Sequence, residues 1–410
     1  MKKLMLFSVV FFGLISYSIS GEQKVVNRDN THFREGPGSY YPLIGMLKKG
    51  AGVETVETQA GWLKVKYADK LGWVSENALA TGTTGGSLSS MTAGGAPLLI
   101  SKASASGAVK GFAQKFIDFH KGDPTFLDQY EAPIFSPYEY LRFRQETYAG
   151  RDSEKIRKRY KRIKTENIDH SIPFGQEKVG LAAASKIAVL GLVKDQTKVK
   201  YLNLVGNIIV DNTDMFDYPF KFFILDDKRI SAYAVPNGMI FLTSGLLDII
   251  QDEAELACVL GHEITHVVQK HGFQELAKRS TMIEAEDAFA EFDAEMQTED
   301  DTIEAELDQI ALNSYEAATK KRQMKYEYEA DELGIIYAYR SGYDPSALNR
   351  VLARLKANTS RDFWHPESNW AYDSILDRVE KIDAFIAKNL TKNPDWNVTN
   401  QMRYRGYFKK

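Results

Sequence analysis

The sequence predicts a multidomain chain, with a small all-β barrel followed by a mainly helical α+β domain. Three observations predict it. At 410 residues the chain is too long for one ordinary core. Short strands separated by turn signals run from residue 24 to 80, and helical periodicity dominates from Val109 onward.

Ahead of the barrel, residues 1–20 read as a cleavable secretory signal. Met-Lys-Lys opens an apolar stretch from Leu4 to Ile15, and the small Ser18 and Ser20 stand before Gly21. The stretch is shorter than the roughly 20 residues a bilayer needs, so it is not read as an anchor. Export to the periplasm or another extracytoplasmic space of a bacterium is expected, with no transmembrane segment after signal cleavage. The single cysteine, Cys258, sits among apolar neighbours and is read as core. A net charge of -3 and a pI near 6.2 give no general attraction for nucleic acid or anionic lipid, so no nucleic-acid partner is expected.

Within residues 24–80 the turn signals are Arg34-Glu35-Gly36-Pro37-Gly38, Lys48-Lys49-Gly50, Ala60-Gly61-Trp62 and Leu71-Gly72-Trp73. Between two of them, Leu63, Val65 and Tyr67 alternate with Lys64 and Lys66, which buries one face of a strand. A small barrel is the simplest closure. The spacing resembles a bacterial SH3 domain, with Phe33-Arg34-Glu35-Gly36-Pro37, Gly61-Trp62 and Gly72-Trp73-Val74 at that family's recurring patches. The resemblance implies a targeting module that binds cell-wall peptide or a protein. Trp62 and Trp73 read equally well as core.

Residues 81–107 are rich in Gly, Ser, Thr and Ala and low in charge, the composition of a flexible linker. A second domain is expected over residues 108–400. Glu154–Lys164 holds seven Lys/Arg around Ile156, Tyr160 and Ile163, which reads as a solvated helix. Glu284–Asp308 holds twelve acidic residues and no basic one, which reads as a solvated helical insertion.

The chemistry concentrates further along. Asp252 to His271 reads as one helix: Asp252 is a good N-cap, Leu256, Leu260, Ile264, Val267 and Val268 mark an apolar face, and Gly272 is a stop. Inside it stands His262-Glu263-Ile264-Thr265-His266. Two histidines four apart on a helix lie about 40° apart around the axis, so both rings can reach one ion. Glu263, one step round, can address an ion-bound water without ligating. A chain with this histidine usage yields such a pentapeptide by chance about 0.01 times. Catalytic zinc needs three protein ligands and an open position, so a third ligand must exist. Downstream, Tyr326-Glu327-Tyr328-Glu329-Ala330-Asp331 lies in another helical run, with Glu327 and Asp331 four apart on one face. Glu327 can ligate while Asp331 hydrogen-bonds a ligand histidine from behind. Spacing alone leaves Glu327 equally readable as a solvated carboxylate.

From about Glu177 to Ile382 the chain resembles the zinc metallopeptidase family of the HtpX-like heat-shock proteases and CAAX prenyl endopeptidases, in its soluble periplasmic branch. The marks are His262-Glu263-x-x-His266 and Glu327-x-x-x-Asp331. The resemblance implies a zincin-like fold of the gluzincin type and one Zn2+ per chain. It implies His262, His266 and Glu327 as metal ligands and Glu263 as general base, and selects Glu327 over Glu329. Ala232-Tyr233-Ala234-Val235-Pro236-Asn237-Gly238 matches the family's strand and turn before the metal helix, where the edge aligns substrate backbone. Ala234, Pro236, Asn237 and Gly238 are the substrate-binding candidates so implied. The family has Asn and Pro-Gly-Gly where this chain has Ser231 and Pro236-Asn237-Gly238. His365-Pro366 resembles a downstream His-Pro motif, with His365 either a fourth ligand that holds the enzyme latent or a support for the oxyanion. The arginine that follows in the family is replaced by Ala371, and the nearest candidate, Arg378, needs an insertion. The implied activity is zinc-dependent endopeptidase action on protein or peptide substrates, misfolded envelope proteins among them. The rival readings are a latent metallopeptidase acting as chaperone or scaffold, and a cell-wall peptide hydrolase.

Overall fold

The computed structural model describes residues 17–18, 21–79, 99–149, 151, 174–279, 301–320, 322–357, 375–390 and 398–409. The chain divides into two compact units, residues 1–102 and 103–410.

The first unit is all-β. Among the described residues its strands are β1 (Tyr17–Ser18), β2 (Gln23–Val25), β3 (Thr31–Arg34), β4 (Leu43–Leu47), β5 (Gly52–Gln59), β6 (Trp62–Tyr67), β7 (Lys70–Ser75) and β8 (Leu99–Ser101). The order is β1-β5-β6-β7-β3-β4-β8, with β2 also on β5, and an antiparallel bridge joins Val26 to Leu79. The period-two pattern predicted for β6 is present: Leu63 and Val65 are buried with Phe33, Leu47, Val53 and Val74, while Lys66 faces solvent. Trp62 and Trp73 are both buried.

One boundary needs correcting. The predicted linker is shorter than residues 81–107, because Leu99–Ser101 pairs with Leu47, Met46 and Gly45 of β4 and a helix starts at Lys102. Leu99 packs on the barrel core, an apolar gain that the surrounding Gly-rich composition conceals. Residues 81–98 of that segment lie outside the described residues.

The second unit is mainly helical, as predicted. Its elements are α1 (Lys102–His120), α2 (Phe126–Glu131), α3 (Pro137–Thr147), α4 (Phe174–Ala188), α5 (Gln196–Val210), β9 (Lys221–Leu225), β10 (Ala232–Ala234), β11 (Met239–Thr243), α6 (Ser244–Ile249), α7 (Glu253–Val268), α8 (His271–Arg279), α9 (Asp301–Thr319), α10 (Met324–Arg340), α11 (Ala347–Ala357), α12 (Ile375–Asn389) and α13 (Gln401–Phe408). The sheet runs β10-β11-β9, with β9 parallel and β10 antiparallel to β11, so β10 is an edge. Helix α7 is buried along its whole length and packs on α5, α10, α11 and β10.

Burial of a whole helix raises the question of its polar N-terminus. The Asp252 side chain caps it by accepting from Glu255 N–H at 2.9 Å, as the sequence predicted. Thr399 O accepts from Glu253 N–H at 2.9 Å, and the buried Glu253 carboxylate accepts from Tyr201 Oη at 2.6 Å, Tyr343 Oη at 2.8 Å and Asn400 Nδ2 at 2.8 Å. Arg403 completes that cage. The domain therefore runs past the predicted end at residue 400. Tyr404 is buried and Tyr407 stacks on Tyr201 at 4.0 Å, so α13 is part of the fold, held by aromatic side chains inside a short charged segment. Cys258 is buried, as expected for core.

The predicted single helix from Asp252 to His271 is two. Helix α7 ends at Val268, Gln269 N–H closes on Thr265 O at 2.8 Å, and Lys270 takes a left-handed conformation with φ 52°. His271 then opens α8. The basic stretch 154–164, His365 and residues 284–300 of the acidic stretch lie outside the described residues. Residues 301–308 of the acidic stretch form the start of α9, where Asp308 meets His120 at 2.6 Å.

Candidate metal centre

Two helices cross at their glycines to build the site. A Cβ on Gly261 of α7 would lie 2.4 Å from Gly334 O, and one on Gly334 of α10 would lie 2.5 Å from His262 N. Only glycine permits this backbone contact. It brings the Glu327 end of α10 under the histidine face of α7.

The three side chains meet in the interior. His262, His266 and Glu327 each offer one ligand atom, and these atoms lie within 4.8 Å of one another. The two Nε2 atoms are 3.2 Å apart, His262 Nε2 is 3.4 Å from Glu327 Oε2, and His266 Nε2 is 3.6 Å from Glu327 Oε1. Both Glu327 oxygens are buried without a hydrogen bond. Two imidazole lone pairs and an ionised carboxylate turned on one point repel unless a cation lies between them. The donor set fits one divalent metal ion. Glu263, one residue along α7, is buried beside them.

Behind each imidazole stands a support. His262 Nδ1 donates to Asp331 Oδ1 at 2.9 Å, and Arg378 donates to the same carboxylate from Nε at 2.8 Å and Nη2 at 2.7 Å. Accepting three bonds keeps Asp331 ionised and fixes the His262 proton on Nδ1, which leaves Nε2 for the metal. Behind His266 stands His271, Nδ1 to Nδ1 at 2.9 Å, and behind His271 stands Glu329, with Oε2 3.3 Å from Nε2. The His271 Nε2–H donates to the carboxylate, so His271 Nδ1 accepts from His266 Nδ1, and His266 Nε2 is again the free lone pair.

The electrostatics separate the two rings. Burial pushes both down, but at His262 the hydrogen bond to Asp331 and the charges of Asp331 and Glu327 outweigh it and raise the pKa to about 9 in the metal-free protein. At His266 burial wins and the nearby Arg322 charge adds to it, so the pKa lies well below the usual range. Burial raises the Glu327 and Asp331 carboxyls, yet His262 and Arg378 hold both below their ordinary values.

Of the predicted residues, His262, Glu263, His266, Glu327, Asp331 and Arg378 gather here. Arg378 reaches the site through Asp331, and its Nη1 is 3.9 Å from Glu327. The substrate-binding candidates Ala234, Pro236, Asn237 and Gly238 are all buried, and Pro236 O accepts from Gln176 Nε2 at 2.7 Å. Gly238, with φ 80°, makes the turn between β10 and β11. Sequence reasoning missed His271, Glu329 and Arg322. Five residues past His266, His271 would lie about 140° around a continuous helix, pointing away. The break at Lys270 turns it back.

A family model described as peptidase family M48 matches residues 196–389, which include every side chain of the centre. Residues 196–389 are thus similar to peptidase family M48. A second model, described as a bacterial SH3 domain, matches residues 29–80. Among curated relatives, the M48 region is similar to the beta-barrel assembly-enhancing protease of Escherichia coli, 30% identical over 170 residues, 40% of this chain and 34% of that protein. It is also similar to the mitochondrial metalloendopeptidase OMA1 of Schizosaccharomyces pombe, 27% identical over 193 residues, 47% of this chain and 54% of that one. The Escherichia coli metalloprotease YcaL is 26% identical over 185 residues, 44% of this chain and 69% of that one. The chain spans about a third of the length of the first of these relatives. No helix among the described residues is long and apolar enough to cross a membrane.

Proposed function

We propose that this chain is an exported zinc-dependent endopeptidase that hydrolyses peptide bonds in protein substrates. The observation that carries the reading is the convergence of His262, His266 and Glu327 ligand atoms within 4.8 Å, with Glu263 buried alongside. Zinc, when bound, supplies Lewis acidity to water and to a peptide carbonyl. His262 and His266 hold it through Nε2, each fixed by a carboxylate-ended chain, and Glu327 offers the third ligand. The Glu263 carboxylate takes a proton from the attacking water and returns it to the leaving amine. Peptide backbone laid along β10 would be aligned by strand addition.

The leader-like residues 1–20 support export, and the SH3-like unit supports targeting to cell-wall peptide or a protein. The name of the Escherichia coli relative, a beta-barrel assembly-enhancing protease, supports protein substrates. A second reading, a latent peptidase acting as a scaffold, draws on the burial of Ala234 and its neighbours at the β10 edge. Zinc analysis of purified protein, paired with casein digestion with and without chelator, tests both. The active reading expects digestion that chelator abolishes and that Glu263→Gln loses while retaining one zinc. Digestion by Glu263→Gln at the wild-type rate would refute the assignment of the base, and zinc binding with no digestion would favour the scaffold. Release of muropeptides from purified cell wall, with casein untouched, would favour the cell-wall hydrolase.

A further inference from the structure

A buried arginine stands at the open edge of β10. Ser231 O accepts from Thr243 N–H at 3.1 Å and Val235 N–H donates to Met239 O at 3.0 Å, so residues 231, 233 and 235 turn their peptide groups to β11. Alternation along an antiparallel pair then turns the N–H and C=O of Ala232 and Ala234 to the other side. Among the described residues no strand lies on that side. Arg322 Nη2 donates to Ala234 O there, at a long 3.4 Å.

The rest of the guanidinium is the anomaly. Arg322 is 4% exposed, its Nε and Nη1 are buried without a hydrogen-bond partner, and no carboxylate of the described residues pairs with it. A buried cation with unsatisfied donors is costly and needs a reason. Position supplies one. Arg322 directly precedes Gln323, the N-cap residue of α10, whose first turn carries Glu327, and Gln323 N–H is held by Glu275 Oε1 at 3.2 Å. The guanidinium thus meets the strand edge from the residue just ahead of the helix that carries Glu327. Its charge is the largest among those depressing His266 and also bears on His271 and Glu327.

We propose that Arg322 is a catalytic residue whose Nε and Nη1 donors bind the scissile carbonyl oxygen of a peptide laid along β10 and stabilise the negative charge that oxygen develops. This rests on the peptidase reading above. As water adds, its oxygen bonds to the carbonyl carbon, the C=O π pair moves to oxygen facing Arg322, and Glu263 takes the proton. As the C–N bond breaks, the oxygen pair re-forms C=O and Glu263 protonates the leaving nitrogen. The weak bond to Ala234 O is the one the arginine gives up when substrate backbone takes that carbonyl.

The test uses the full zinc-loaded chain with Arg322→Lys and Arg322→Met, a peptide that the wild type cleaves, and a phosphinic peptide of the same sequence. A phosphinic group carries the tetrahedral geometry and charged oxygen of the addition step, so its affinity tracks transition-state binding. Loss of an oxyanion donor lowers kcat about 10²–10³-fold. The expected result is that loss in Arg322→Met with KM, zinc content and Tm little changed, a smaller loss in Arg322→Lys, and phosphinic-peptide affinity falling in step with kcat. Partial rescue of Arg322→Ala by added methylguanidinium is expected as well. A rise in KM with kcat intact would make Arg322 an anchor for the strand edge and overturn the proposal. So would unchanged kinetics, or a loss that follows zinc content or Tm in both variants. If the wild type cleaves nothing, the peptidase reading fails. If the wild type cleaves the peptide and Arg322→Met cleaves it equally well, the proposal alone fails and the peptidase reading stands.

Discussion

The two histidines of the candidate metal centre sit on one helix and four residues apart, yet they are held in opposite ways. Behind His262 the chain of contacts ends in a dry ion pair: Asp331 and Arg378 are both buried, and the arginine grips the carboxylate with two nitrogens. Behind His266 it ends at the surface, since His271 is buried but the Glu329 side chain is 40% exposed. Both chains do the same chemical task, which is to put a proton on the outer nitrogen and leave the inner lone pair to the metal. They differ in what else they do. The inner arm crosses from α7 through α10 to α12 and so ties three helices together. The outer arm bridges the break between α7 and α8 and returns to α10.

The largest effect follows from cutting the inner arm. Asp331→Ala removes the acceptor of His262 and strips Arg378 of its two-pronged partner inside the fold. Breaking a buried pair in this way costs about 3–5 kcal/mol. Urea denaturation of the zinc-free protein should show a loss of that size, and a chelator-competition titration should show zinc affinity falling at least tenfold. Unchanged stability would remove the distinction between the arms.

The next effect isolates orientation from stability. His271→Ala deletes the acceptor of His266 Nδ1, and loss of such an outer partner typically weakens metal binding about 10–100-fold. His271→Asn places an amide oxygen near the former Nδ1 and should recover most of that affinity. Zinc competition titrations on the two variants check this. Equal affinity for Ala and Asn would show that His271 fills space and does not orient His266.

These two arms also show what could be read in advance. His262, Glu263 and His266 were legible because a helix of fixed pitch converts spacing into geometry, and Asp331 was legible because it repeats that spacing from Glu327. Arg378 came only as a weak candidate, since nothing local says that α12 reaches α10. His271 was hidden by the left-handed Lys270, which turns one predicted helix into two. The barrel was legible from the alternation around Leu63 and Val65. The docking of α13 was not, because Tyr404, Tyr407 and Phe408 are interspersed with charge and find their partners on α5 and α6, far away in sequence.

The pH dependence of the zinc-free protein should separate the arms by sign. His262 has a pKa raised to about 9 against roughly 6.5 unfolded, so its contribution is fully present below pH 6.5 and is lost as pH rises through 9. His266 and His271 are depressed by burial, with Glu329 opposing that at His271, so the unfolded chain binds more protons and stability is lost as pH falls below about 6.5. Thermal unfolding after chelation, followed from pH 5 to 10, should therefore decline at both ends. Asp331→Asn should flatten the alkaline limb and spare the acid one. An alkaline limb that survives Asp331→Asn would place its origin elsewhere.

The smallest effect is expected at the surface end of the outer arm. Water can replace the Glu329 carboxylate as acceptor for His271 Nε2, and salt screens what remains of its charge. Glu329→Gln keeps an oxygen in reach of that nitrogen and should weaken zinc by less than tenfold, with no shift in urea midpoint. The same zinc titration at low and high salt is the sharper check, because only an arm open to solvent makes the variant and the wild type converge as salt is added. If Glu329→Gln instead matched Asp331→Ala in both zinc affinity and stability, exposure would be a poor guide to what a carboxylate does behind a ligand. The difference between the arms would then lie in the helices they join, and not in the water at one end.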